Sequence, residues 1–449
     1  MSKRLTVSLF ALAGLAGASS ATAVDLVGVY ELAERNDPQL QAAYYRKEAT
    51  GENPRQALAN FLPNLSGSGT YTRGGTESFI AGTQISDTDT DTENLRLDLA
   101  QTIYNQANYE QMDIARGQVS QAEAEYQVAY QEFLLRVSER YFAVLTAQDS
   151  LTFSEAEEKA LQRQFEQAEQ RFEVGLTAVT DVHEARASYD RARARVIVAR
   201  NTLADAFEAL RELTGQAFTE VEPLQEDLPL ESPAPANAED WVQLAVQNDP
   251  RLITRRYAVE IAQQQVQLER TGHYPNLEAF AGYSEFTDNE LILRDDNLIP
   301  IGTTSFEQDD LAYGIRLNVP IYSGGVISSR TRQARHLVDA AMQDEEAQQR
   351  LTVRQVENAY RSVIAGIQEV EAFRQALVSA DSALEATQAG FEVGTRTIVD
   401  VLLSEQRYFQ ALRDYSDARH LYILNHLRLQ AAAGMLDSDD LVAVNALLD

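Results

Sequence analysis

Side chains suited to bond-making chemistry are thinly scattered along the 449 residues. The five histidines, His183, His273, His336, His420 and His426, show no i, i+4 pair or other metal-ligand spacing. There is no G-x-S-x-G nucleophile elbow, no phosphate-binding glycine loop and no H-E-x-x-H. The run DTDTDTE, Asp87 to Glu93, starts like a calcium loop but lacks glycine at its sixth position and glutamate at its twelfth, so it reads as an outer loop. No cofactor, no metal and no enzymatic activity are expected. The charged residues with an informative spacing are Arg96 and Asp98, then Arg316 and Asn318, each alternating with aliphatic side chains. That alternation suits a wet surface rather than a catalytic centre.

Elements must carry those residues, and the chain start says where they go. Met-Ser-Lys-Arg precedes an apolar run from Leu5 to Ala18 and a small-residue close at Ala21-Thr22-Ala23, the pattern of a secretory signal peptide over residues 1–23. That run is too short for a confident spanning helix, and no other stretch approaches about eighteen consecutive apolar residues. The chain has no cysteine, which excludes a disulfide framework and a lipid-modified N-terminal cysteine. A formal net charge of −30 argues against nucleic acid and anionic headgroups as partners.

The chain repeats itself. RFEVGLTAVTDV (Arg171 to Val182) returns as GFEVGTRTIVDV (Gly390 to Val401), 219 residues later. Asn36-Asp37-Pro38 returns as Asn248-Asp249-Pro250, and Pro63-Asn64-Leu65 as Pro275-Asn276-Leu277. The chain is a tandem duplication with repeats over 24–220 and 241–435, a proline-rich linker over 221–240 and a closing segment over 436–449.

Each repeat has one order of elements. A helix opens it, with Asp37 or Asp249 as N-cap and Pro38 or Pro250 in first helical position. Two strands follow, over 64–74 and 94–104 in the first repeat and over 276–286 and 311–322 in the second, with SDTDTDTEN as a loop between the first two. A proline-free helix then runs from Asn105 to Phe172, roughly 100 Å at about 1.5 Å per residue, further than a compact core requires. It ends at a tip, 172–177 or 391–396, where Gly175 or Gly394 stops it; Thr397 and Asp400 have capping-box spacing for the next helix. The returning helices carry a heptad: Val182, Tyr189, Val196, Leu203, Leu210 and, in register, Val401, Tyr408, Tyr415, Tyr422, Leu429.

Four amphipathic strands cannot close a barrel, so several chains must pool them, with apolar side chains outward and Arg96, Asp98, Arg316 and Asn318 toward a wet lumen. For an exported chain the membrane available is the outer one. An ordinary sheet packed on helices, or a periplasmic coiled-coil stalk without a channel, is the rival reading.

The tip phrases, the PNL before each strand pair and VPIYSGG (Val319 to Gly325) resemble the TolC family of outer-membrane efflux and secretion channels across the whole exported chain. The resemblance implies an α plus membrane-β fold: a homotrimer with a 12-stranded β-barrel in outer-membrane lipid, continued by a 12-helix periplasmic α-barrel. It implies a passive exit duct for small toxic compounds or proteins, joined to a periplasmic adaptor and an inner-membrane pump. It makes Val174, Gly175, Leu176, Thr177, Val393, Gly394, Thr395 and Arg396 the adaptor-docking turns. It also makes Asp381 and Glu385 the acidic lining of a narrow periplasmic aperture.

Overall fold

The structure, a computed structural model, describes residues 23–294 and 300–448. The expected signal peptide lies outside the described residues except for Ala23. The first repeat runs α1 (Leu26–Asn36), α2 (Pro38–Gly51), α3 (Asn53–Ala59), β1 (Asn64–Ile80), β2 (Thr83–Tyr104), α4 (Gln106–Glu173) and α5 (Val179–Thr214). The second runs α6 (Ala238–Asn248), α7 (Pro250–Arg270), β3 (Asn276–Arg294), β4 (Pro300–Asn318), α8 (Val326–Glu392) and α9 (Ile398–Ala432), followed by α10 (Ser438–Asn445). The fold is thus two tandem copies of a strand pair followed by a long helical hairpin. Among the described residues, no helix is long and apolar enough to cross a membrane.

The chain divides into two compact units, to both of which α4 and α8 contribute. One holds the N-terminal stretch as far as Gln41, Tyr130–Gln247 and Arg354–Asp449. In it Asp25 caps α1 by accepting from Gly28 N at 2.8 Å. The buried Tyr141 of α4 donates to Glu222 O at 2.9 Å, pinning the linker beside the chain start, where Val24 bridges Val221. Buried Val196 and Leu210 on α5, and Val401, Tyr422 and Leu429 on α9, fall on the expected heptads, and Ala185, Ala192 and Ala199 are buried three residues after heptad positions. The helix α9 buries a second stripe as well: Ile398, Leu402, Glu405, Phe409, Ser416 and His420.

The other unit holds Ala42–Ala129 and Asn248–Val353. Its helices are tied by side chains: Asn53 Nδ2 of α3 donates to Gln118 Oε1 of α4 at 2.8 Å, and Thr352 of α8 donates to the buried Asp249 at 2.7 Å. Asp249 also caps α7, as its sequence position predicts, by accepting from Arg251 N at 3.0 Å. The four strands form one antiparallel sheet in the order β1-β2-β3-β4, so the two repeats meet at the β2–β3 pair. A two-residue turn, Ala81-Gly82, joins β1 to β2 with both residues at positive φ.

The strands depart from expectation in three ways. β1 runs to Ile80 rather than 74, and β3 to Arg294 rather than 286. DTDTDTE is not a loop: it lies within β2, where Thr90 pairs with Gly74 and Asp91 with Arg73. Alternating β-branched threonine is a strand pattern that the density of acids obscures. The last strand begins at Pro300 rather than near 311 and ends at Asn318 rather than 322, because Pro320 has no N–H to continue the ladder.

Candidate functional site: a two-faced sheet and paired hairpin tips

The register of the sheet sorts its side chains by parity. Leu97 pairs with Gly67 and Tyr283, and Tyr283 with Leu311; Leu99 pairs with Leu65 and Ala281, and Ala281 with Tyr313. These odd-numbered residues form one apolar face, and its large side chains lie open in the single chain, Leu311 at 71% and Tyr313 at 79% of full exposure. From Leu311 to Leu317 the stripe is about 20 Å long at about 3.3 Å per residue, or about 15 Å along the normal at a tilt of about 40°. Exposed Tyr104, Tyr274 and Tyr322 stand near the ends of the strands that join the helices, where aromatic girdles flank the apolar band of barrels.

The even-numbered face is mostly polar, with Phe280, Phe286 and Phe306 among its members. Arg96 lies opposite Ser68 and Ser284, and Asp98 opposite Ser66 and Gly282. Arg96 Nε donates to Asp98 Oδ2 at 2.7 Å. Arg316 approaches Glu278 at 3.3 Å and covers the Phe280 ring at 4.8 Å, and Asn318 pairs with Asn276. All four residues singled out in the sequence therefore share one face of the sheet.

At the first tip Leu176 N donates to Arg171 O at 2.8 Å and Gly175 N to Phe172 O at 2.9 Å. The second tip repeats the pattern, Thr395 N to Gly390 O at 2.8 Å and Gly394 N to Phe391 O at 3.2 Å. This paired bonding closes a helix around a left-handed residue, and Gly175 and Gly394 have φ of 75° and 80°. The turns expose apolar side chains, Val174 at 69%, Leu176 at 70% and Val393 at 76%, with Thr395 and Arg396 also exposed. Thr397 and Asp400 form the anticipated capping box, whose hydrogen bonds from Thr397 hold the Asp400 carboxyl below the usual range. Its counterpart in the first tip is Ala178, which has no capping side chain, and Thr177 bonds Asp181 instead.

The two tips touch. Behind them Leu161, Ala168, Ala185, Ala192, Ile398 and Leu402 form one buried cluster, and the Arg171 guanidinium lies 4.6 Å above the Phe391 ring. Asp381 and Glu385 are exposed, one turn apart on α8, and neither lies in a tip turn. Burial, with the Asp381 charge nearby, pushes the Tyr408 phenol of α9 up. Glu173 and Glu392 are the exposed acids within the tip turns, and Asp181 and Asp400 open the returning helices; capping-box spacing was the signal for Asp400, and Asp181 had none.

The most occluded ionic group went unseen in the sequence. Glu157 of α4 is fully buried and takes guanidinium groups from Arg195 of α5 and from Arg413 of α9, the latter at 3.2 Å. Further along the same α4–α9 seam, Ser416 bonds Asp149, and Thr146 and His420 Nδ1 meet at 2.9 Å. Burial lowers the His420 pKa to about 4.

The family model described as "Outer membrane efflux protein" matches residues 29–216 and 241–435. The chain is 36% identical over 444 residues to "Outer membrane protein TolC" of Vibrio cholerae, covering 98% of this chain and 97% of that one. It is 31% identical over 460 residues to "Alkaline protease secretion protein AprF" of Pseudomonas aeruginosa, covering 99% and 91%. Among solved structures, CusC superposes with a TM-score of 0.75 at 17% identity, covering 91% of this chain and 92% of that one. The chain therefore belongs to the outer membrane efflux protein family, as an outer-membrane exit duct of the kind that serves efflux or type I secretion.

Proposed function

We propose that three copies of the chain pool their sheets into one twelve-stranded barrel, with the odd-numbered face on lipid and Arg96, Asp98, Arg316 and Asn318 on a wet lumen. The observation that carries this reading is the two-faced sheet with two open edges: β1 and β4 have no outer neighbour among the described residues, and an apolar face lies uncovered. Exposed edges invite pairing with another chain, and a closed barrel removes them. The helical hairpins then continue the duct through the periplasm. The cargo is small toxic compounds or proteins, driven by an inner-membrane pump.

The tips, Val174 to Thr177 and Val393 to Arg396, are the docking surface for a periplasmic adaptor. Solvent-exposed valine and leucine on rigid, hydrogen-bonded turns suit an apolar contact with a partner. Asp381 and Glu385 line the narrow mouth, where carboxylates from three copies make a cation-selective field. The test is single-channel conductance of the purified protein in a planar bilayer, comparing wild type with Asp381→Ala plus Glu385→Ala and, separately, Asp400→Asn. Cation-selective openings that lose selectivity only in the first variant support this aperture. Loss only in Asp400→Asn moves the mouth into the tip, and a well-folded protein that never conducts contradicts the duct.

A further inference from the structure

Along the α4–α9 seam the polar side chains find partners in turn: Arg413 with Glu157, Ser416 with Asp149, His420 with Thr146. Glu405 breaks the series. It is 3% exposed, and Gln164 Nε2 of α4 donates to its Oε1 at 3.2 Å. Its other oxygen, Oε2, is buried without a hydrogen-bond partner, and so is Gln164 Oε1. Two orphaned acceptors therefore sit on two side chains that already share one bond. Buried polar atoms are seldom left unpaired, and two acceptors cannot satisfy each other.

A single proton resolves both. A neutral Glu405 donates from Oε2 to Gln164 Oε1 and completes the two-bond ring that a carboxylic acid forms with a primary amide. The surroundings favour that form. Of the groups facing Glu405, the Gln164 amide and Arg163 of α4 and the Gln388 amide of α8 favour the carboxylate, and Glu157 of α4 opposes it. Burial outweighs them and pushes the Glu405 carboxyl up.

We propose that Glu405 is a neutral acid in the packed hairpins, and that its proton, shared with Gln164, is a pH-sensitive clasp between the first hairpin and the returning helix of the second. As a gate control the clasp rests on the duct reading; as a protonated acid it does not. An exposed glutamate titrates at about 4.3, and the packed one keeps its proton above that. The clasp is fully made below the pKa of the exposed acid and is lost as pH rises through the packed one. Parting α9 from α4 hydrates Glu405, so rising pH favours the open arrangement.

Infrared spectroscopy of wild type and Glu405→Gln at about pH 6, where an exposed glutamate is ionised, reads the proton directly. The expected result is a protonated-carboxyl band in the wild type that is missing from the variant; identical spectra overturn the proposal whether or not the protein conducts. In bilayers, open probability should rise with pH in the wild type and stay flat in Glu405→Gln, whose amide keeps two bonds to Gln164 at any pH. Equal pH responses in the two proteins overturn the clasp and leave the duct standing. Absence of conduction in both counts against the duct, while the infrared band still decides the acid.

Discussion

Glu157→Gln tests whether buried charge holds the hairpins together. The substitution keeps volume at a fully buried site, removes the charge that faces Arg195 and Arg413, and turns one of the two accepting oxygens into an N–H donor facing a guanidinium. One charge-assisted bond of about 2 kcal/mol becomes a neutral one of about 1 and the other is lost, together about 3 kcal/mol per protomer. The side chain of Arg195 is 34% exposed, so water trims its share. If parting α9 from α4 opens the duct, about 3 kcal/mol shifts that equilibrium by roughly 100-fold. The assay pairs thermal unfolding of the purified protein with single-channel open probability, and Glu155→Gln is the control. Glu155 meets Arg200 at 2.8 Å with both side chains largely in water, a pair worth about 0–1 kcal/mol. Unchanged melting and unchanged opening in Glu157→Gln would refute the claim that this seam restrains the hairpins.

Gly394→Ala places a methyl group in open space, since nothing lies within 4 Å, but at a φ of 80°; denaturant titration should show about 1 kcal/mol lost to backbone strain alone. Tyr141→Phe removes the bond to Glu222 O and should cost about 1–2 kcal/mol in the same titration. Leu97→Arg puts a charge on the apolar face, a penalty of about 2–4 kcal/mol at mid-membrane, and should deplete the protein from outer-membrane fractions. Ser68→Arg, beside Arg96 on the polar face, should leave it there.

Duplication, the order of elements and the hairpin tips were legible because each leaves a local mark: a repeated phrase, a change of hydrophobic period, a glycine where a helix must stop. The parity of Arg96, Asp98, Arg316 and Asn318 was equally local, and the sheet register placed all four together. The second buried stripe of α9 was hidden because three of its members, Glu405, Ser416 and His420, are polar and break any apolar period. The partners of those residues lie about 240 to 275 positions away on α4, a distance across which periodicity says nothing. The extension of β2 through DTDTDTE was missed for the converse reason: its acids drew attention away from the alternation of its threonines.

The duct depends most on the sheet being a membrane wall, and a chain without cysteine is suited to testing that. Single cysteines placed at alternate positions, Leu97, Leu311 and Ile315 on one face and Ser68, Arg96 and Ser284 on the other, can be probed in outer-membrane vesicles. A lipid-phase thiol reagent should label the first set, and a water-soluble reagent entering through the lumen should label the second. Labelling of both sets from water, with none from lipid, would contradict the duct and leave a sheet in solvent.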